Sequence, residues 1–173
     1  MKLQSPSKFL LAGLFLAMSA GPVIAQDQKT PCTEDAMIVF DASGSMAGNL
    51  GQGIMTEKPR IFEVRRALGR VLPNVTQYRK VGLITYGPGP YRQCNVQLDL
   101  RPVPDATDPI MTAVSGLNPA GKTPLTEAVE QAAEVLEHRK KPGVVVLLTD
   151  GEETCDGDPC ALGKKLLATS SNL

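Results

Sequence analysis

Met37-Ile38-Val39-Phe40 is an unbroken apolar run that stops at Asp41 and a Gly-Ser cluster. A strand covered on both faces needs such a run, and the polar cluster after it reads as a functional loop. Val81 to Tyr86 and Val144 to Leu148 have the same character, the second ending at Thr149-Asp150-Gly151. Between Glu57 and Pro73, Ile61, Val64, Leu68, Val71 and Leu72 recur at helical spacing with Arg65, Arg66 and Arg70 among them, which predicts an amphipathic helix over the sheet. Val96, Leu98 and Leu100 alternate with Gln97, Asp99 and Arg101; this period of two, after a Gly-Pro turn, predicts a half-exposed antiparallel edge strand. Asp108-Pro109 opens a short helix that Gly116 closes in a left-handed conformation. Leu125, Ala128, Val129, Ala132 and Leu136 form another helical stripe, ended by Lys140-Lys141-Pro142-Gly143, and Asp158-Pro159 starts a last helix through Leu166 and Leu167.

Strands alternating with helices predict an α/β sandwich with a mostly parallel central sheet and one antiparallel edge strand. Ligands in such folds bind at the carboxyl ends of the strands, where Asp41 and Asp150 both fall. Asp41-Ala42-Ser43-Gly44-Ser45 offers a carboxylate and two hydroxyls in one turn, and oxygen-only donors suit Mg²⁺, Mn²⁺ or Ca²⁺. By itself the segment serves equally as an Asx or Ser turn.

The N-terminus changes the expected location. Lys2 and Lys8 precede the apolar run Phe9 to Met18, and Val23-Ile24-Ala25 precede Gln26. Residues 1–25 thus read as a cleavable secretory signal, followed by a tail over 26–35. The apolar core of about ten residues falls short of the ~20 a spanning helix needs, and no later segment is long and apolar enough, so the expected product is periplasmic or secreted. Of 18 basic and 18 acidic residues in 173, the signal holds two basic and no acidic ones, leaving a net charge of about minus two that disfavours nucleic-acid binding.

On these residues the chain resembles the von Willebrand factor A-type domain, of the bacterial exported type. Asp41, Ser43 and Ser45 match the D-x-S-x-S of that family's metal-ion-dependent adhesion site, Thr123 in Gly121-Lys122-Thr123-Pro124 looks like its threonine, and Asp150 looks like its final aspartate. The resemblance implies a Rossmann-like sandwich in which Ser43, Ser45 and Thr123 touch a divalent cation through hydroxyls, with Asp41 and Asp150 acting directly or through water. Neutral hydroxyls leave the ion electrophilic, so it would capture an Asp or Glu of a partner protein. The implied function is a non-enzymatic, metal-dependent, adhesion-type binding module. The family usually continues past Leu166 and Leu167 into a further strand and helix, so the domain over 36–173 is expected to be incomplete, with Val144 to Leu148 at an exposed edge.

Several competing readings use the same residues. Thr123 could cap the helix after Pro124. Gly116 to Thr123 matches the nucleotide-binding pattern G-x-x-x-x-G-K-[ST], although a strand should precede it and a helix is expected there. Asp41 could be the nucleophile of a Mg²⁺-dependent phosphatase or phosphoryl-transfer enzyme, but the second acid expected two positions on is Ser43. His138, the sole histidine, reads as a solvated or helix-terminal residue. The basic stretch from Lys58 to Arg70 reads as a charged helix face able to steer an acidic partner. Cysteines in an oxidising compartment favour disulfides, and close spacing favours Cys155 with Cys160, a bridge that would stiffen the site rim. Cys94, on the same rim, could instead take a loop cysteine. Cys32, before the first strand, lies ~17 to 20 Å away across a typical strand, beyond the ~7 Å a disulfide spans unless the tail wraps.

Overall fold

The apolar run at Met37–Phe40 becomes one of the two interior strands of the main sheet. The computed structural model describes residues 33–170 apart from 49, 52, 53, 56 and 57. The signal expected over 1–25, Cys32 and the tail up to it lie outside the described residues. In chain order the elements are β1 (Ala36–Asp41), a 3-10 turn (Gly44–Ala47), the hairpin β2 (Leu50–Gly51) and β3 (Ile54–Met55), α1 (Arg60–Thr76), β4 (Val81–Tyr86), β5 (Val96–Val103), α2 (Thr107–Ser115), α3 (Leu125–Val135), β6 (Val144–Leu148) and α4 (Pro159–Thr169).

The main sheet runs β5-β4-β1-β6. β1 is parallel to β4 and to β6, while β5 is antiparallel to β4, as the alternation at Val96–Leu100 predicts. Successive side chains of β1 point to opposite faces, so one strand feeds two cores. Ile38 and Phe40 pack with Leu68 and Leu72 of α1 and Ile110 and Val114 of α2. Met37 and Val39 pack with Ala128, Ala132 and Leu136 around α3 on the other face. Burying one such large apolar side chain contributes about 1.5–3 kcal/mol, so the strand ends are anchored from both sides. β6 is the outer strand of the described sheet, with Val146 and Leu147 exposed, as expected.

Helix limits differ from the expectation in three places. α1 continues past Pro73 to Thr76, because Leu72 and Thr76 are buried and Thr76 Oγ1 bonds Thr107 Oγ1 at 2.9 Å, holding the last turn despite the lost N–H. α2 begins one residue before Asp108, and Gly116 ends it with φ −82°, a right-handed conformation. Arg65, read as part of a charged face, instead donates from α1 to the carbonyls of Val114 (2.7 Å) and Leu117 (2.7 Å), closing the carboxyl end of α2. For His138 the solvated reading is corrected, while its place just past the carboxyl end of α3 stands. It is 1% exposed, with Nδ1 2.9 Å from Ser170 Oγ, because Glu137 at φ 55° turns the chain back under the end of α4.

Candidate metal centre

β1 and β6 end side by side, with Phe40 opposite Leu148 in the parallel ladder, so Asp41 and the Thr149-Asp150 pair emerge together. The carboxylate of Asp41 is fully buried. Its Oδ1 accepts from the backbone N–H of Ser43 at 2.7 Å and its Oδ2 from Thr149 Oγ1 at 2.8 Å. Ser43 Oγ lies 3.0 Å from Ser45 Oγ, and Ser45 Oγ donates to Asp150 Oδ1 at 2.6 Å. Arg60, the first residue of α1, donates to Asp150 Oδ2 at 2.5 Å. One hydrogen-bonded path therefore connects β1, the 3-10 turn, the end of β6 and α1.

Thr123 joins this group from the loop before α3. Its N–H donates to Thr154 Oγ1 at 2.8 Å and its carbonyl accepts from Thr154 N at 3.1 Å, clamping it to the segment after Asp150. Ser45 Oγ and Thr123 Oγ1 stand 3.8 and 4.0 Å from where a β-carbon on Gly151 would be. All five sequence-predicted residues converge. The capping alternative for Thr123 does not hold: α3 has Pro124 at its N-cap without a side-chain cap, and Glu153 Oε2 accepts from Thr126 N at 2.8 Å instead.

Two glycine-containing loops seat the motif. Gly87 has φ 74°, and a β-carbon there would lie 2.7 Å from Ser43 N and Cα, so only glycine lets β4 turn beneath Ser43. The Gly87 carbonyl accepts from Ala120 N (3.3 Å) and Gly121 N (2.8 Å), and Lys122 N donates to Gln93 O at 2.9 Å. These N–H groups would have to face a phosphate in a nucleotide loop, and the segment follows α2 rather than a strand, so that reading fails. A nucleophilic Asp41 would lack the second acid two positions on, where Ser43 stands with its N–H bonded to Asp41 Oδ1.

The disulfide is Cys94–Cys155, with Cα atoms 6.0 Å apart, not Cys155–Cys160. Cys160 is exposed and unbridged. Asp158 Oδ1 accepts from Ala161 N at 2.9 Å and Pro159 starts α4, which carries Cys160 onto the helix; Glu153 Oε1 meanwhile takes Cys155 N at 2.7 Å and holds it by the loop of Cys94. The bridge fastens the rim loop Tyr91–Cys94 to the segment following Asp150.

Ser43, Ser45, Thr123 and Gly151 line an open cleft of about 540 Å³, with Tyr91 and Lys122 also on its walls. Tyr86 lies near both carboxylates of the group. Burial drives the Tyr86 phenol upward, Thr149 opposes this, and the charges of Asp41 and Asp150 reinforce it. No group of three or more His, Cys, Asp or Glu placed to hold a metal exists among the described residues, so a cation here would lean on hydroxyls. The donor set fits a hard divalent ion. Among the described residues, the bonds of the buried Asp41 carboxylate come from a neutral N–H and a neutral hydroxyl, and burying a charge without a counter-charge is costly. Sequence reasoning missed Thr149, Arg60 and Glu153. Thr149 could have been found as the hydroxyl between an apolar strand and Asp150; Arg60 has no local signal.

Residues 36–153 match the family model of the von Willebrand factor type A domain. The chain is 23% identical over 172 residues to the uncharacterized protein YwmC of Bacillus subtilis (strain 168), covering 92% of this chain and 74% of that one. The fold is similar to the PilB minor pilin from Streptococcus sanguinis, at 20% identity and TM-score 0.51, covering 76% of this chain and 31% of that one. It is also similar to the pilus adhesin SpaC from Lactobacillus rhamnosus GG, at 24% identity and TM-score 0.52, covering 70% of this chain and 16% of that one. This chain thus spans under a third of either pilus protein.

Proposed function

From the premise that this chain belongs to the von Willebrand factor type A domain family, we propose that it is an exported, non-enzymatic binding module of the adhesion type. In this reading Asp41, Ser43, Ser45, Thr123 and Asp150 hold a divalent cation, Mg²⁺ or else Mn²⁺ or Ca²⁺, and the module captures an Asp or Glu of a partner protein. The observation that carries the reading is the buried Asp41 carboxylate, which has two neutral donors and no cation among its bonds within the described residues. When bound, the ion supplies positive charge at the base of the cleft and a coordination position for an incoming carboxylate.

The chain's own residues do the rest. Thr149 and the N–H of Ser43 fix the orientation of Asp41, Ser45 ties the 3-10 turn to Asp150, and Thr154 sets the position of Thr123. Such preorganised donors lower the ordering cost of binding. Export is supported by the charged and apolar pattern of residues 1–25, by the Cys94–Cys155 bridge, and by likeness in fold to pilus proteins. No helix among the described residues is long and apolar enough to cross a membrane.

Calorimetric titration with Mn²⁺ tests the site. The protein should bind one equivalent, and Asp41→Ala and Ser43→Ala should lose it while keeping their circular dichroism. Capture of partner proteins from an envelope extract should be abolished by EDTA; capture that persists in excess chelator refutes the mechanism. Mass spectrometry of the mature protein should give Gln26 as its first residue.

A further inference from the structure

Arg60 occupies a position that its own helix does not favour. It is the first residue of α1, where the positive end of the helix dipole repels a guanidinium, and Pro59 at the N-cap provides no side-chain cap. Its Nη1 nevertheless reaches across 90 residues of sequence to Asp150 Oδ2 at 2.5 Å. The remaining oxygen of Asp150 is taken by Ser45 Oγ. Both oxygens of the second carboxylate are therefore engaged, one by a neighbouring hydroxyl of the candidate site and one by a cation from outside it.

We infer that Arg60 is a built-in competitor of the divalent cation: its guanidinium neutralises Asp150 and opposes the approach of the ion to that carboxylate. The inference rests on the proposed metal site. Asp150 has two contacts to surrender, and they differ in kind. Releasing Ser45 would detach a donor of the site itself, whereas releasing Arg60 removes a positive charge that repels the incoming ion. The geometry favours the second. The Arg60 side chain is 47% exposed against 14% for Asp150, so the guanidinium can move into water while the carboxylate stays at the base of the cleft. The exchange sets a threshold: the carboxylate is charge-balanced at low cation concentration and is handed over as the concentration rises. The half-exposed pair is worth little in free energy, so the threshold is modest, up to about fivefold in metal affinity.

The test is Mn²⁺ titration calorimetry on the full chain, comparing the parent protein with Arg60→Gln, which keeps donor N–H groups without the charge, and Arg60→Lys, which keeps the charge. Arg60→Gln should bind Mn²⁺ about three- to fivefold more tightly, and Arg60→Lys should stay within about twofold of the parent. In nuclear magnetic resonance spectra the Arg60 guanidinium signals should shift on saturation with Mg²⁺ as the Nη1 contact to Asp150 is lost. Equal or weaker Mn²⁺ binding by Arg60→Gln, with the parent binding normally, overturns the competition and leaves the metal site standing. Absence of Mn²⁺ binding in all three proteins overturns both.

Discussion

Thr149 Oγ1 donates to Asp41 Oδ2 at 2.8 Å, joining the tips of two adjacent parallel strands through residues 108 apart in sequence. The same hydroxyl lies 3.2 Å from Gly151 N, so it also shapes the turn that presents Asp150. The D-x-S-x-S motif does not contain this residue, yet the bond determines which way the buried carboxylate points.

Thr149→Val keeps the shape and removes the donor. It should cost about 1–3 kcal/mol in urea unfolding, because a buried acceptor loses a partner, and Thr149→Ser should restore most of it. If the proposed site is correct, both proteins will gain stability when unfolding is repeated at saturating Mn²⁺ and the deficit will widen, since the parent with its oriented Asp41 binds the ion more tightly. An unchanged unfolding midpoint for Thr149→Val would show that the bond does not constrain Asp41.

Glu153 gives a pH dependence. Burial works to raise its carboxyl, but Thr126 and the N–H groups of Cys155 and Gly157 outweigh that and hold it below the ordinary range. A carboxyl with a lowered folded-state value contributes stability above its unfolded value of about 4.3 and loses it as pH falls through the folded value. Glu153→Gln should therefore be less stable near pH 7 by about 1 kcal/mol, the scale of a lost helix N-cap, and should differ little from the parent once both are strongly acidified. Denaturation curves at pH 7 and pH 3 give the comparison; a deficit of equal size at both would exclude the charge as its source.

Reducing Cys94–Cys155, which spans a sequence separation of 61 residues, should cost about 2–4 kcal/mol and lower the melting temperature by roughly 10 °C. Cys160→Ser should change neither quantity. Non-reducing peptide maps should recover the peptides of Cys94 and Cys155 together, and a Cys155–Cys160 pair in those maps would contradict the arrangement.

Legibility in the sequence followed the range of the forces involved. β1, β4 and β6 could be read from Met37–Phe40, Val81–Tyr86 and Val144–Leu148, because a strand buried on two faces must be apolar throughout. Asp41, Ser43, Ser45, Thr123 and Asp150, which the structure brings together, stood out because strand ends and short motifs are local. What escaped was set by tertiary contact. Arg60 meets Asp150 across 90 residues, Arg65 closes α2 from another helix, and Ser170 bonds the buried His138. Cys155 and Cys160 are near in sequence, but the start of α4 outranks that proximity. The end of α1 was misjudged at Pro73, where packing of Leu72 and Thr76 prevails over the missing donor.

The ladder that pairs Phe40 with Leu148 works as a ruler. Neighbouring strands keep a pitch of about 4.8 Å whatever loops they carry, so the interval between Asp41 and the Thr149-Asp150 turn is a property of the backbone lattice. A change confined to the loops around the cleft leaves that interval to the paired backbones.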